Sequence, residues 1–454
     1  MLAVSLFPGY MLLPGCRGKP AWLNQNRMSS TSELARFAAR LRGSMLTSEW
    51  GAQPSPGVPG ARASSPLSAS LNHSRVPMAI GRPKRVGSPR GGVSAGFEAL
   101  ALQLFALQFE HNSPYRRLCE ARGVRPGAVA RWTDIPAAPT SAFKEFNLSC
   151  LSAEERTTVF HSSGTTGQKP SRHFHSAASL AVYEAALLKW FDAHFQRPMA
   201  NGQTGKTEPK LGCGLAIGDW QLAILTPPPA QVPHSSLVHM FETIRREVGG
   251  DGLAFVGRAA HDGAWTLNAE AALARLQAAS RNGHPLLLLG TAFSFVHLLD
   301  YLAGQDLRFE LPPGSCALET GGYKGHSRSL PREALHALIS ERLGIPPDHI
   351  ICEYGMSELS SQAYDSATSP SRFTFHASRL FHFPPWARVQ IISPETGCEV
   401  AEGETGLIRV FDLGNVYSVM AIQTEDLGIR RGNGFALAGR AVFAEPRGCS
   451  LLAV

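Results

Sequence analysis

His161-Ser162-Ser163-Gly164-Thr165-Thr166-Gly167-Gln168-Lys169-Pro170 gathers four hydroxyls, two glycines and a lysine directly after the apolar pair Val159-Phe160. Glycine lets a backbone turn tightly and approach a ligand closely. Successive N–H groups in such a turn form a concave nest for anions, to which Ser and Thr hydroxyls add donors. Downstream, Leu180, Tyr183, Leu187 and Phe191 carry helical spacing, and a helix starting near Ser176 would bring its positive N-terminal end. The segment therefore reads as a loop that grips phosphates. Its G-x-x-x-x-G-K-[ST] spacing is missing, so it is not a Walker A loop. A solvated Ser/Thr/Gly turn has the same composition, and other segments must decide.

Two do. Ile350-Ile351-Cys352-Glu353-Tyr354-Gly355-Met356-Ser357-Glu358-Leu359 runs from an apolar pair into a glycine-centred turn with an aromatic, a hydroxyl and a carboxylate. Gln423-Thr424-Glu425-Asp426-Leu427-Gly428 precedes Gly434-Phe435-Ala436-Leu437-Ala438-Gly439-Arg440. In this order the three segments resemble the adenylate-forming superfamily of acyl-CoA ligases, luciferases and peptide-synthetase adenylation domains. Glu319-Thr320-Gly321-Gly322-Tyr323-Lys324, Pro233-His234-Ser235-Ser236-Leu237-Val238-His239-Met240 and Arg447-Gly448-Cys449-Ser450-Leu451 are similar to the acyl-protein synthetases of luminescence operons, the LuxE family. Acyl-CoA ligases continue after Gly-Arg into a mobile lid with a catalytic lysine, whereas this sequence stops fourteen residues after Arg440.

The resemblance implies ATP and Mg²⁺ as cofactors, a fatty acid as substrate and a reductase of acyl intermediates as partner. By it, Ser162, Ser163, Gly164, Thr165, Thr166 and Gly167 hold the β- and γ-phosphates. Glu358 lies at Mg²⁺, a cation that takes carboxylate and phosphate oxygens. Ser357 meets the α-phosphate, Asp426 the ribose hydroxyls with Arg440 close by, and Gly321, Gly322, Tyr323 and Tyr354 the adenine. The lid lysine has no assigned equivalent, with Lys324, Lys169 and Arg440 as candidates. Family members load the acyl group onto a cysteine near their own C-terminus, which here is Cys449, with Arg447 available to raise its thiolate fraction. Delivery to CoA or a carrier-protein thiol, and a non-catalytic nucleotide-binding scaffold, are the alternative readings.

His161, His173, His175, His234 and His239 flank the expected pocket. His173 and His175 share one face of a strand but lack further metal ligands at suitable spacing. Phe293, Phe295 and His239 are candidates for an acyl tunnel, although Leu286–Leu289 ahead of them reads equally as a buried strand.

The 454 residues are 44% hydrophobic, enough for a large core. Eight cysteines without a C-x-x-C pair favour a reduced, cytoplasmic setting and no structural zinc. The net charge of +7 is local: residues 1–90 hold twelve Lys/Arg against two Asp/Glu, leaving 31 basic and 34 acidic residues elsewhere. No nucleic-acid partner is therefore expected. Residues 1–94 read as a basic, Pro/Gly/Ser-rich, disordered leader, and 95–454 as the enzyme domain. Within the leader Leu34, Phe37, Leu41 and Met45 lie on one face of a short basic helix, as in a transit peptide or surface-binding helix, and Met78 is an alternative start. No apolar run is long enough for a transmembrane segment.

From Phe97 to Cys119 the pattern predicts one amphipathic helix. Later strands (Leu222–Leu225, Leu286–Leu289, Ile350–Cys352, Val389–Ile392, Leu407–Phe411) alternate with helices (Leu237–Val248, Asn268–Ala279, Pro331–Leu343). The expected fold class is α/β, the layered N-terminal-domain fold of adenylate-forming enzymes, with a smaller β-rich subdomain from Trp386 to Arg440 and the C-terminal lid absent or vestigial.

Overall fold

Leu286-Leu287-Leu288-Leu289 is buried along its whole length, and a strand of that composition needs an apolar layer on each face because its side chains alternate. Leu286 and Leu288 join one core cluster with Leu276, Phe295 and Ile339. Leu287 and Leu289 join another with Leu187, Phe191, Phe241 and Ile244. Helices thus cover both sides of a central sheet.

The computed structural model describes residues 22–47, 50, 93–162, 169–195, 220–249, 254–261, 263–321, 330–366 and 379–441. Three helices come first: α1 (Trp22–Leu46), α2 (Val93–His111) and α3 (Ser113–Ala121). A short strand β1 (Ala138–Pro139) and the helical turn α4 (Ala142–Glu145) lead to a hairpin, β2 (Thr158–His161) with β3 (Arg172–His175). The layered region follows as α5 (Ala177–His194), β4 (Gln221–Ile224) and α6 (Ser236–Val248). A second hairpin, β5 (Gly257–Ala259) with β6 (Trp265–Leu267), precedes α7 (Ala269–Asn282), β7 (Leu286–Thr291), α8 (Ala292–Gly304), β8 (Cys316–Thr320), α9 (Arg332–Leu343) and β9 (Ile350–Tyr354). The last strands are β10 (Ala363–Ser366), β11 (Leu380–His382), β12 (Ala387–Ile392), β13 (Thr405–Asp412), β14 (Ala421–Arg431) and β15 (Gly434–Arg440).

One sheet changes character midway. β4, β7, β8 and β9 are parallel neighbours. Beyond β9 the order β10-β11-β15-β14-β13-β12 is antiparallel throughout. The stretch from Trp386 to Arg440 is therefore β-rich as expected, and it continues the same sheet. The segment joining β9 to β10, residues 355–362, crosses at the change of direction, outside the carboxyl ends of the parallel strands, where open α/β sheets bind ligands.

Two expectations need correction. Phe97–Cys119 is not one helix: Pro114 and the Asn112 side chain, which accepts from Tyr115 N at 3.2 Å, start a new helix at Ser113. Residues 34–46 also do not lie apart from the domain. Leu34, Phe37, Ala38, Leu41 and Met45 are at most 4% exposed and belong to the core of the antiparallel half, with Phe105 and Phe411. The stripe that resembles a surface-binding helix is a core face, and α1 rests on α2 and α5. Pro/Gly/Ser-rich flanks obscured this, since burial depends on partners far along the chain.

Candidate active site

The site is assembled from three separate segments, the β2–β3 hairpin, the turn after β9, and the β14–β15 pair. At the tip of the β2–β3 hairpin, Ser162 Oγ accepts from Ser171 N at 2.9 Å and closes the base of the Ser/Thr/Gly loop. Ser163, Gly164, Thr165, Thr166 and Gly167 lie outside the described residues. α5 does begin after Ser176, but β3 intervenes between loop and helix. Its first turn is satisfied internally, Ser176 and Ser179 forming a capping box, so the helix end does not supply the anion site expected of it.

His173, on β3, braces the second segment. Its Nδ1 lies 2.8 Å from the Ser357 carbonyl, an acceptor only, so Nδ1 carries the proton. Burial holds this imidazole down to about 4, against the Ser357 carbonyl and Glu358, so it is neutral near pH 7. The adjacent His175 ring, 4.3 Å away between centroids, is also held low by burial. Its Nδ1 meets Ser179 Oγ at 3.2 Å. The pair is structural, and among the described residues no cluster of three His, Cys, Asp or Glu has metal-binding geometry.

In the turn after β9, Ser357 Oγ donates to Glu358 Oε2 at 3.0 Å and lies 3.4 Å from Ser171 Oγ. Glu358 is fully buried, and Asn415 Nδ2 donates to its carbonyl at 2.8 Å. Asp412 fixes the rest of the turn by accepting from the amides of Ser360, Ser361 and Gly414 and from Ser361 Oγ, at 2.7–2.9 Å. Gln108, reaching from α2, binds the carbonyls of Asn415 and Val416 and the amide of Met420. A helix some three hundred residues earlier thereby holds the loop that holds Glu358.

The third segment is β14 with β15. Asp426 accepts from Tyr354 OH at 3.0 Å, and its other oxygen lies 3.3 Å from Arg440 Nε. Asp426 and Arg440 are register partners. Just before Arg440 the ladder shifts, Leu427 opposing Gly439 and Gly428 opposing Leu437. Gly439 takes φ +112°, a conformation that costs glycine little, and this bulge aims Arg440 at Asp426 and Glu425.

A cleft of about 440 Å³ joins these pieces. Every described residue expected at the nucleotide site lines it: Ser162, Gly321, Tyr354, Ser357, Glu358, Asp426 and Arg440. Gly322, Tyr323 and Cys449 lie outside the described residues. His161 and His234 also line it, with ring centroids 4.6 Å apart. Sequence reasoning missed Tyr183, Met240, Trp265, Thr320, Glu353 and Gln362, all in the lining. Glu353 had a legible signal: it is a lone carboxylate in the buried strand Ile350–Tyr354 and shares a face with Ile351. Burial, then the nearby Glu319, pushes its carboxyl up to about 8.

The proposed tunnel residues fall elsewhere. Phe295 is buried on the α7–α9 side of the sheet, and Phe293 pairs with His297. His239 lies 3.2 Å from Glu184 and stands behind Tyr183, outside the lining itself. The large apolar and aromatic residues that do line the cleft include Leu237, Met240, Tyr183 and Trp265.

The family model "Acyl-protein synthetase, LuxE" matches residues 261–453. The long-chain-fatty-acid–luciferin-component ligase of Vibrio harveyi is 23% identical over 367 residues, covering 76% of this chain and 84% of that protein. Its counterpart from Aliivibrio fischeri is 23% identical over 341 residues, covering 73% and 78%. Among solved structures, 2-hydroxyisobutyryl-CoA ligase with 2-HIB-AMP superposes with a TM-score of 0.54 at 14% identity, over 76% of this chain and 68% of that one. That likeness concerns the fold.

Proposed function

We propose that the chain is a LuxE-type acyl-protein synthetase, a ligase of the adenylate-forming superfamily, and that it activates a long-chain fatty acid with ATP and passes the acyl group to its own Cys449. A carboxylate oxygen attacks the α-phosphorus, a P–O–C(O) bond forms, and the bond to pyrophosphate breaks. The Cys449 thiolate then attacks the acyl carbonyl, a thioester forms, and AMP leaves with the bonding electrons. Delivery to a reductase partner completes the cycle, in a cytoplasmic setting that keeps the thiol reduced.

The observation that carries this reading is the single cleft uniting Ser162, Gly321, Tyr354, Ser357, Glu358, Asp426 and Arg440 from separate segments. Asp426 is pre-oriented by Tyr354 and Arg440, as a carboxylate that accepts from ribose hydroxyls must be. Ser357 faces the α-phosphate, with its backbone fixed by His173. Mg²⁺ fits the buried Glu358 carboxylate flanked by the Ser357 hydroxyl: one carboxylate plus substrate phosphate oxygens is a common magnesium donor set. When bound, the ion offsets charge on the reacting phosphate. Lys169 is exposed and paired with Glu145 at 3.2 Å, and Arg440 is engaged by Glu425 and Asp426, so neither is poised as a substitute for the lid lysine.

Intact-protein mass spectrometry with ATP, Mg²⁺ and fatty acids tests the sequence of steps. A hydroxylamine-labile acyl increment is expected on wild type and absent from Cys449→Ser, while acid-dependent pyrophosphate exchange survives in both. Exchange without an adduct on wild type would move the acceptor thiol outside the chain.

A further inference from the structure

One row of the sheet turns polar where it enters the cleft. Leu289, Leu318 and Ile351 are successive register partners on β7, β8 and β9, and all lie in the apolar cluster beneath α5 and α6. Two residues further on, the same face carries Thr291, Thr320 and Glu353, again register partners. All three line the cleft. The Thr291 hydroxyl is committed to α8, accepting from Ser294 N at 3.2 Å.

Glu353 is differently placed. It is 8% exposed, and its carboxyl group lines the cleft. It folds against Gly355, where a Cβ would lie 2.2 Å from Glu353 Oε1 and 3.7 Å from Gln362 Cγ. Gln362 is 5% exposed and lines the cleft; its Nε2 donates to Tyr183 OH at 3.3 Å, while its Oε1 is buried without a hydrogen-bond partner in the described structure. Two polar side chains more than nine-tenths buried thus lie near each other in the cleft lining, Gln362 against Tyr183 and with one oxygen unpartnered in the described structure. Buried polar atoms without partners are rare in native proteins and mark places where something else supplies the bond.

Resting on the acyl-activating reading above, we propose that Glu353 and Gln362 select a carboxylic acid bearing a hydroxyl close to its carboxylate, in preference to the plain alkyl acid. An alkyl chain laid over this floor would cover both acceptors and satisfy neither, whereas a hydroxyl on the first carbons donates to one of them. The remaining carbons then meet Met240, Leu237 and Trp265. A site built to hydrogen-bond a substrate hydroxyl rejects the analogue lacking it far more strongly than an apolar pocket rejects one methylene.

Calorimetric titration of the full chain with decanoate, 2-hydroxydecanoate and 3-hydroxydecanoate tests this, using wild type, Glu353→Leu and Glu353→Gln. Wild type should bind one hydroxy acid at least about tenfold tighter than decanoate. Glu353→Leu should abolish or reverse that ratio and Glu353→Gln should retain most of it, with ATP affinity unchanged in both. Equal or tighter binding of decanoate by wild type overturns the proposal even if the leucine variant does not fold. So does a Glu353→Leu variant that keeps the ratio, or that loses ATP affinity instead. Pyrophosphate release, followed in parallel, reports separately on acid activation: binding discrimination without release for any acid would refute the activity and leave the selectivity standing.

Discussion

The two halves of the sheet solve different problems. In the parallel half, β4 and β7–β9 are covered on both faces, their sequences are almost purely apolar, and what reaches the cleft sits at strand ends: Thr320, Gly321, Glu353, Tyr354. In the antiparallel half, Asp426 and Arg440 project from within paired strands, held by register and by a bulge. The first half offers a floor and short connections, the second a rigid pair of charges. Between them lies the turn with Ser357 and Glu358, fastened from the hairpin by His173 and from the antiparallel side by Asp412 and Asn415.

The sharpest way to break this division is at the junction. Glu358→Gln should lower acid-dependent pyrophosphate release by about a hundredfold or more while the thermal midpoint moves little, because it removes charge and keeps shape. If instead the midpoint collapses with little change in the rate of the folded fraction, the buried carboxylate is a structural element of the antiparallel half.

Deleting residues 22–46 tests whether that half depends on α1. Leu34, Phe37, Leu41 and Met45 are each buried, and at roughly 2 kcal/mol per large side chain their loss takes much of a typical domain's margin of about 5–15 kcal/mol. Insoluble protein, or a midpoint lowered by ten degrees or more, is expected. An unaltered midpoint would return α1 to the role of an accessory helix.

The hairpin and the parallel half should also respond oppositely to pH. His173 is depressed to about 4 in the folded chain, below its ordinary value. The unfolded chain therefore binds the extra proton first, and the stability His173 contributes is present above about 6.5 and lost as pH falls toward 4. Glu353 is raised to about 8, so its neutral form contributes stability below about 4.5 that is lost as pH rises toward 8. Each effect is on the order of a few kcal/mol. Midpoints measured from pH 4 to 9 should flatten on the alkaline side in Glu353→Gln and on the acid side in a His173→Asn variant that folds. Unchanged profiles would remove these groups from the account.

The smallest effect belongs to the loop. Lys169→Ala breaks an exposed pair with Glu145 and should change stability by about 0–1 kcal/mol, with pyrophosphate release within a few-fold of wild type. A loss of tenfold or more would make Lys169 a phosphate ligand after all.

Much of the site was legible because its chemistry is local. Ser162 with its loop, Tyr354-Gly355-Met356-Ser357-Glu358 and Asp426 with Arg440 stand out as short segments of hydroxyls, glycines and charges, and their resemblance to a known family singled them out. The leucine run likewise announced its strand through its burial pattern. His173 gave no such signal, since nothing in Arg172-His173-Phe174-His175 indicates a carbonyl 184 positions away. The same holds for Gln108 and for the buried stripe of α1.

By itself, then, the sequence announced most of the strands and helices of the layered region, because those choices are made largely by side chains within a few residues of one another. Only the tertiary structure decided which of those segments share a cleft, which histidine braces Ser357, and that Thr320, Glu353 and Gln362 line the same cleft as Ser357, Asp426 and Arg440. Register between strands distant in the chain sets those neighbours. Register is fixed by the fit of whole faces against each other, which no local stretch contains.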